Sequence, residues 1–420
     1  MKAWHGWIVV VPLFGWVMAR ECENGNFGLP LSYSVGEMSV SLPLLRTRAK
    51  AALRCSFVGD SLSMPVHWYY NPRDITRAFP PHGVTKFEAA PANHPSSIMH
   101  LHSTVGGGRT GSKSAKGNIC VVGDVILKDK ARFWGKSNTH YHHGMKAGEN
   151  TLNSHCALLL LRELTAHPED PRFDVEAFAT AYVEFMTADP AQHPDTYAES
   201  FHRGWFANWA QDVAPLRCGA VTHDTPSVGA FVMIQPLAIT LLVAAAENGG
   251  NGVRLPEGAL SRVQKSCREL LFLFHPDEGL AKHCDAFVAL IAALLYRQDE
   301  PGAEPIRACM RGVMGGALFD KFPASIEDDS AVVGGRFSLA CYITDSWPAA
   351  LYLVHKYAAD PLRGMLQNTN LGGENCHRGT VVGCLLGAAS GQVPELYSDL
   401  ALQPALDAAL DTLFPASAAM

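Results

Sequence analysis

Asn370-Leu371-Gly372-Gly373-Glu374-Asn375-Cys376-His377-Arg378-Gly379 runs straight into Thr380-Val381-Val382-Gly383-Cys384-Leu385-Leu386-Gly387-Ala388-Ala389. Paired glycines, then polar residues, then a run of small apolar ones read as a turn that opens a helix. A second stretch, His140-Tyr141-His142-His143-Gly144-Met145-Lys146-Ala147-Gly148-Glu149-Asn150-Thr151-Leu152-Asn153-Ser154, repeats the order: glycine, Glu-Asn, then polar residues at the head of an Ala/Leu helix. Helix N-termini carry unpaired N–H groups and a partial positive charge, so two of them brought together make a polar pocket suited to an anionic group. Two ordinary N-caps, with Asn, Ser and Thr in their usual places, are the competing reading. A third stretch, Phe57-Val58-Gly59-Asp60-Ser61-Leu62-Ser63-Met64-Pro65-Val66-His67, closes the first core helix.

Outward from these stretches the chain reads as helix almost throughout. Ala/Leu-rich segments of helical length fall at 49–58, 156–164, 175–186, 236–247, 260–274, 285–296, 347–357, 380–389 and 400–413. Several place apolar residues on one face, as Phe178, Tyr182 and Phe185 do. Only 119–127 is Val/Ile-rich enough to be a strand, and a helix fits it equally. The segments 69–104 and 105–118 are long loops, of the kind that forms lids or pocket walls. Gly106-Gly107-Gly108-Arg109-Thr110-Gly111-Ser112-Lys113-Ser114 imitates a phosphate-binding loop, but its Lys is one position late and no apolar strand feeds it. The expected fold is all-α: a single helical domain over residues 46–415 with long loops.

Composition sets the outer limits. The 420 residues are 48% hydrophobic and 18% charged, against about 25% charged in an average soluble protein. That is ample material for a large core and excludes a disordered or fibrous chain. Net charge is −6, with no basic stripe, which argues against nucleic-acid binding. The 11 cysteines are scattered, odd in number and without a CxxC pair, so they read as buried thiols of a reducing compartment. Residues 1–20 point elsewhere: Lys2, an apolar run from Trp7 to Ala19, and small residues at 17 and 19 fit a secretory signal, or alternatively an N-terminal helix. The chain is secreted under the first reading and cytoplasmic under the second. The 7–19 run is too short for a membrane span, and elsewhere no apolar run reaches spanning length.

Taken together, the motifs resemble the ADP-ribosylglycohydrolase family, which includes the J-type crystallins and the dinitrogenase-reductase-activating glycohydrolases. The family's Gly-Asp-Ala-Leu-Gly-Met-Pro-like turn matches Gly59–Pro65. Its Thr-Asp-Asp-Thr segment falls on Thr151-Leu152-Asn153-Ser154. Its closing Asn-Leu-Gly-Gly-Asp-Thr-Asp-Thr-x-Gly falls on Asn370–Gly379, and 342–351 looks like the segment before it. The resemblance spans 46–391 and implies a compact helical fold and hydrolysis of a glycosidic bond in an ADP-ribosyl, nucleoside or related polar sugar compound.

The departures bear on the chemistry. Family members hold two magnesium ions through carboxylates of the second and third motifs and often use a Glu after the first. Here those positions are Leu152 and Asn153, then Glu374, Asn375, Cys376 and His377, with His67 in place of the early Glu. Each lost carboxylate forfeits about 4 kcal/mol of attraction per unit charge at contact, at an effective dielectric near 20. Magnesium is therefore disfavoured as a cofactor. The resemblance gathers His67, Glu149, Asn150, Asn153, Glu374, Asn375, Cys376 and His377 around one cavity, and three readings follow. In the first, Glu374 or Glu149 activates water while His67 or His377 protonates the leaving group. In the second, Cys376 is a nucleophile, or zinc is bound by a set drawn from Glu374, Cys376, His377, Asn153 and His67. In the third, the domain is non-catalytic and crystallin-like. Asp60, Asn150, Thr151, Asn153 and Asn375 would bind substrate, and Lys146 and Arg378 would pair with a phosphate or carboxylate on it. An extended 140–142 would set His140 and His142 on one side, available to a metal or a proton relay, with a solvated turn as the alternative. The expected partner is a polar or anionic sugar-containing small molecule.

Overall fold

Ser41, in extended conformation, accepts the Leu44 N–H and starts helix α1, Leu42–Ser63. The computed structural model describes residues 39–102, 120–222, 224–249, 252–298, 300 and 302–416. The segment 1–20, the glycine-rich 106–114 and His223 lie outside them. After α1 come α2 (Pro72–Ala78), α3 (Ala131–Trp134), α4 (Leu152–Leu164), α5 (Val175–Thr187) and α6 (Ser200–Trp209). Then follow α7 (Phe231–Ala244), a hairpin of β1 (Glu247–Gly249) and β2 (Gly252–Arg254), α8 (Ala259–Phe274), α9 (Glu278–Tyr296), α10 (Ala303–Met314) and α11 (Ala317–Lys321). The chain finishes with α12 (Ile343–Lys356), α13 (Pro361–Leu371), α14 (Asn375–Ser390) and α15 (Gln403–Leu413). The all-α fold expected from the sequence is the fold observed. Carboxylates cap several helices: Asp174 on α5, Asp277 on α9 and Asp360 on α13 each accept N–H groups of the first turn.

Two local expectations are corrected. Gly59–Ser63, read as part of a turn, continues α1, and the bend comes only at Met64–Val66. Residues 121–125 are neither strand nor regular helix, because Val122 and Gly123 leave helical conformation, Gly123 with φ of 104°.

α7 and α9 are buried almost all round and form the centre of the core. α9 is the one described helix long and apolar enough to cross a membrane, and 78% of its apolar window lies inside the protein. Against this centre α1 and α14 pack backbone to backbone. Gly379, Gly383 and Gly387 recur every four residues and so share one face of α14. A Cβ on Gly383 would stand 2.2 Å from the Cys55 carbonyl oxygen, and one on Gly387 2.4 Å from that of Ala51. Gly59 and Gly379 face each other the same way, with 2.2 Å from a Gly59 Cβ to the Gly379 carbonyl oxygen. Hence the small-residue run after the last motif: it lets α14 lie against α1 and carries Glu374 to within reach of the end of α1.

The Asn-Leu-Gly-Gly turn completes that placement. Gly372 and Gly373 take φ of 75° and 67°, a region costly for a side chain. A Cβ on Gly372 would meet the Tyr69 carbonyl at 2.2 Å. The turn exchanges backbone hydrogen bonds with the segment after α1, Trp68 N–H to the Gly373 carbonyl and Gly373 N–H to that of Tyr69, both 2.8 Å. Asn370 clamps Val84, accepting its N–H and donating to its carbonyl at 2.8 Å each.

Candidate active site

Glu374, at the start of α14, is fully buried and surrounded by nitrogen. Its Oε1 lies 3.0 Å from His67 Nε2 and 2.6 Å from His377 Nδ1, while the Trp68 indole N–H donates to Oε2 at 2.5 Å. Burial alone would raise the carboxyl, but His377 and His67 outweigh it and hold Glu374 well below the usual carboxylate range. His67 continues inward: its Nδ1 meets His142 Nε2 at 2.8 Å, and His142 Nδ1 meets Asp195 at 2.8 Å. The rings of His67 and His142 are nearly parallel, 5.1 Å apart, and Trp68 stacks on His67 at 4.0 Å.

His377 is the hinge between Glu374 and a second carboxyl, Glu199. Glu199 Oε1 lies 3.5 Å from His377 Nδ1, and its Oε2 accepts from the Asn153 amide at 2.9 Å. The same amide N–H₂ approaches His377 Nε2 at 3.0 Å, and Asn153 Oδ1 faces His202 Nε2 at 2.8 Å. Burial would lower His377, but Glu199 and Glu374 draw it up to about 10. A doubly protonated His377 would set its Nε2–H against the Asn153 N–H₂, so that state requires the amide to turn over. Burial, with Glu374 and Asp224 nearby, raises Glu199 to about 7. Gly229 walls this corner: a Cβ there would come within 2.7 Å of Glu199 Oε2. Glu199 is also the open side of the cluster, its side chain 13% exposed where Glu374 is sealed. Tyr70, 50% exposed, stands near this side, and its phenol feels the charges of Glu374 and Asp224.

Several expected site residues do other work. Asp60 accepts from Thr151 N–H and Oγ1 and from the Asn150 amide, at 2.7–2.9 Å, so all three are closed into a knot at the head of α4. The next N–H of that helix, Leu152, goes to Asp195. The α4 N-terminus is thus filled by the protein's own carboxylates and offers nothing to a phosphate. Arg378 is fully buried and spans Asn368 Oδ1 and the Gly372 carbonyl, locking the glycine turn, and Asn375 bonds the Thr369 carbonyl at 2.9 Å. Glu149 caps the exposed Lys146 N–H in a surface turn, so neither joins the cluster. Residues 141–144 form a turn, not an extended segment; only His142 enters the site, while His140 holds the Pro65 carbonyl.

Cys376 packs with Met64 and Met145 behind the cluster. Burial, reinforced by Asp60 and Glu374, pushes its thiol well up, against the nucleophile reading. His67, lowered by burial to about 4, is neutral near pH 7 and so is not the acid expected of it. Sequence reading missed Trp68, Asp195, Glu199 and His202. Asp195 and Glu199 lie four apart in an irregular segment before α6 that matches no motif, and Trp68 is marked only by its place beside His67.

A binuclear magnesium site does not fit these residues. Leu152 is buried in the apolar core, both oxygens of Asp60 are engaged by Asn150 and Thr151, and His67 and His377 present nitrogen where magnesium wants oxygen.

The helical layers, the glycine turn and the buried polar centre at the head of α14 define an all-helical domain with a buried carboxylate–histidine centre. The family model described as ADP-ribosylglycohydrolase matches residues 41–418, and the chain belongs to that family, which is generally hydrolytic. A solved structure of an ADP-ribosylglycohydrolase-related protein complex is similar at 17% identity and a TM-score of 0.48, covering 88% of this chain and 98% of that one. A comparison with curated proteins finds no match.

Proposed function

We propose that the chain hydrolyses a glycosidic bond in an ADP-ribosyl, nucleoside or related polar sugar compound, without the family's pair of magnesium ions. The observation that carries this reading is the meeting of two carboxyl groups, Glu374 and Glu199, at His377 Nδ1, one sealed and one partly exposed. Glycoside cleavage asks for two carboxyl groups in different states, one ionised against a developing positive charge and one able to carry a proton. Glu374 is the fixed negative charge. Glu199, raised toward neutrality, moves the proton to the leaving group and takes one from water. The acidic corner suits the sugar carbon rather than a phosphate, and the exposed ring of Tyr70 offers a face for a base or sugar outside it.

Leaving-group dependence tests the assignment. Glu199→Gln lowers turnover of an ADP-ribosylated peptide by about 100- to 10,000-fold. It spares a p-nitrophenyl riboside, whose leaving group departs without a proton. Equal losses on both substrates would remove Glu199 from the proton-transfer role. For the ligand, ADP-ribose and nucleosides are expected to raise the melting temperature and apolar compounds of similar size to leave it unchanged; the reverse order in a thermal-shift screen would sink the sugar-ligand reading.

A further inference from the structure

His67 Nε2, His377 Nδ1 and Glu374 Oε1 converge: all three residues are buried and their ligand atoms lie within 4.8 Å of one another. The hydrogens behind His67 can be counted. Asp195 accepts the N–H groups of Leu152 and Tyr197, and as a carboxylate it only accepts, so His142 Nδ1 beside it carries a hydrogen. With a single hydrogen on the His142 ring, its Nε2 accepts His67 Nδ1–H, and the lone pair of His67 Nε2 then faces Glu374 Oε1, 3.0 Å away. A lone pair facing a carboxylate oxygen calls for a cation between them. Across the same oxygen, His377 Nδ1 stands 2.6 Å off but out of line for a hydrogen bond, a buried nitrogen with no hydrogen-bond partner among the described residues. A proton satisfies one of these pairs. A metal ion satisfies all three donors at once.

We propose that His67, His377 and Glu374 form a mononuclear site for a divalent transition-metal ion of the zinc class, with its fourth position open toward Glu199. Two imidazoles and one carboxylate are a zinc donor set and a poor magnesium one. The supports behind the ligands have the form such sites use: His67 is oriented through His142 by Asp195, and Glu374 is turned by the Trp68 indole so that Oε1 faces the nitrogens. Binding through His377 Nδ1 places the hydrogen on Nε2, where an Asn153 amide turned over supplies the accepting oxygen, a flip that also points that oxygen at Glu199 Oε2 and so goes with a protonated Glu199. Ligand atoms of His67, His142 and Cys376 also lie close together. There, however, both ring nitrogens of His142 are engaged and the thiol is packed against Met64 and Met145, leaving no open position. The site stands whether or not the bond cleaved is glycosidic.

The test uses the full chain, stripped with a chelator and titrated calorimetrically with zinc and, separately, magnesium. One zinc per chain is expected, with no magnesium binding at the same concentrations. Glu374→Gln and His377→Gln each abolish stoichiometric binding. His142→Gln, which removes only the support behind His67, weakens it by about 10- to 100-fold. Cys376→Ala leaves it intact, and the cobalt-loaded chain shows visible ligand-field bands without a thiolate charge-transfer band. Failure of the unmodified chain to bind zinc overturns the proposal whatever the variants do, as does loss of binding in Cys376→Ala with binding kept in His377→Gln. Hydrolysis by a zinc-free chain would leave the glycosidic reading standing while removing the metal from it.

Discussion

Glu374→Gln lowers turnover by about two to four orders of magnitude, the usual worth of a positioned acid–base or charge-stabilising group. Unlike the loss in Glu199→Gln, it persists on a p-nitrophenyl riboside, because a fixed charge at the reaction centre is needed whatever leaves. The side-chain amide keeps the size of the carboxylate and Trp68 can still donate to its oxygen, so the variant folds, as circular dichroism will register. Removing the charge also removes one of the two carboxylates that draw His377 up to about 10, leaving Glu199 alone to do so. Normal turnover in Glu374→Gln, together with a dead Cys376→Ser, would transfer the chemistry to the thiol despite its burial.

Gly383→Val is the largest expected effect on stability, about 3 kcal/mol or more. A Cβ at 2.2 Å from the Cys55 carbonyl cannot be accommodated by a rotamer change, because the obstacle is backbone in the longest helix of the fold. α14 must move away from α1, and that separation also withdraws Glu374 from His67. Urea unfolding should show a lower midpoint at unchanged slope. An equivalent change at Gly144, where a Cβ would meet nothing within 4 Å, tests only its positive φ of 86° and is expected to cost about 1 kcal/mol. Comparable losses at the two positions would show that close helix contact is not what Gly383 provides.

Much of the helical pattern was legible because apolar periodicity is local: the stretches read at 175–186, 260–274 and 380–389 each lie within an observed helix. α6, α10 and α13 were not read. Gly204 interrupts α6, and α13 carries the polar run Gln367-Asn368-Thr369-Asn370 whose members bond neighbouring segments instead of facing water. In the candidate site, His67, Asn153, Glu374 and His377 could be placed by motif position. Lys146 and Arg378 were matched by charge alone, and charge does not say whether a side chain ends in a surface turn or inside a backbone lock.

By itself the sequence determined that the chain is helical, that a glycine turn opens α14, and that positions 152, 153 and 375–377 carry no carboxylate. These follow from residue identity: the spacing of apolar positions, the conformations open to glycine, and the oxygen or nitrogen at the end of a side chain. Tertiary structure alone decided which polar groups meet. Asp195 and Glu199 are far along the chain from Glu374 and join its cluster through His142 and His377, because α1, α4 and α14 bring their ends together. Protonation was decided there too. Glu374 and Glu199 are the same residue type, yet one is held ionised chiefly by His377 and the other raised by burial, and no reading of residues in order could tell them apart.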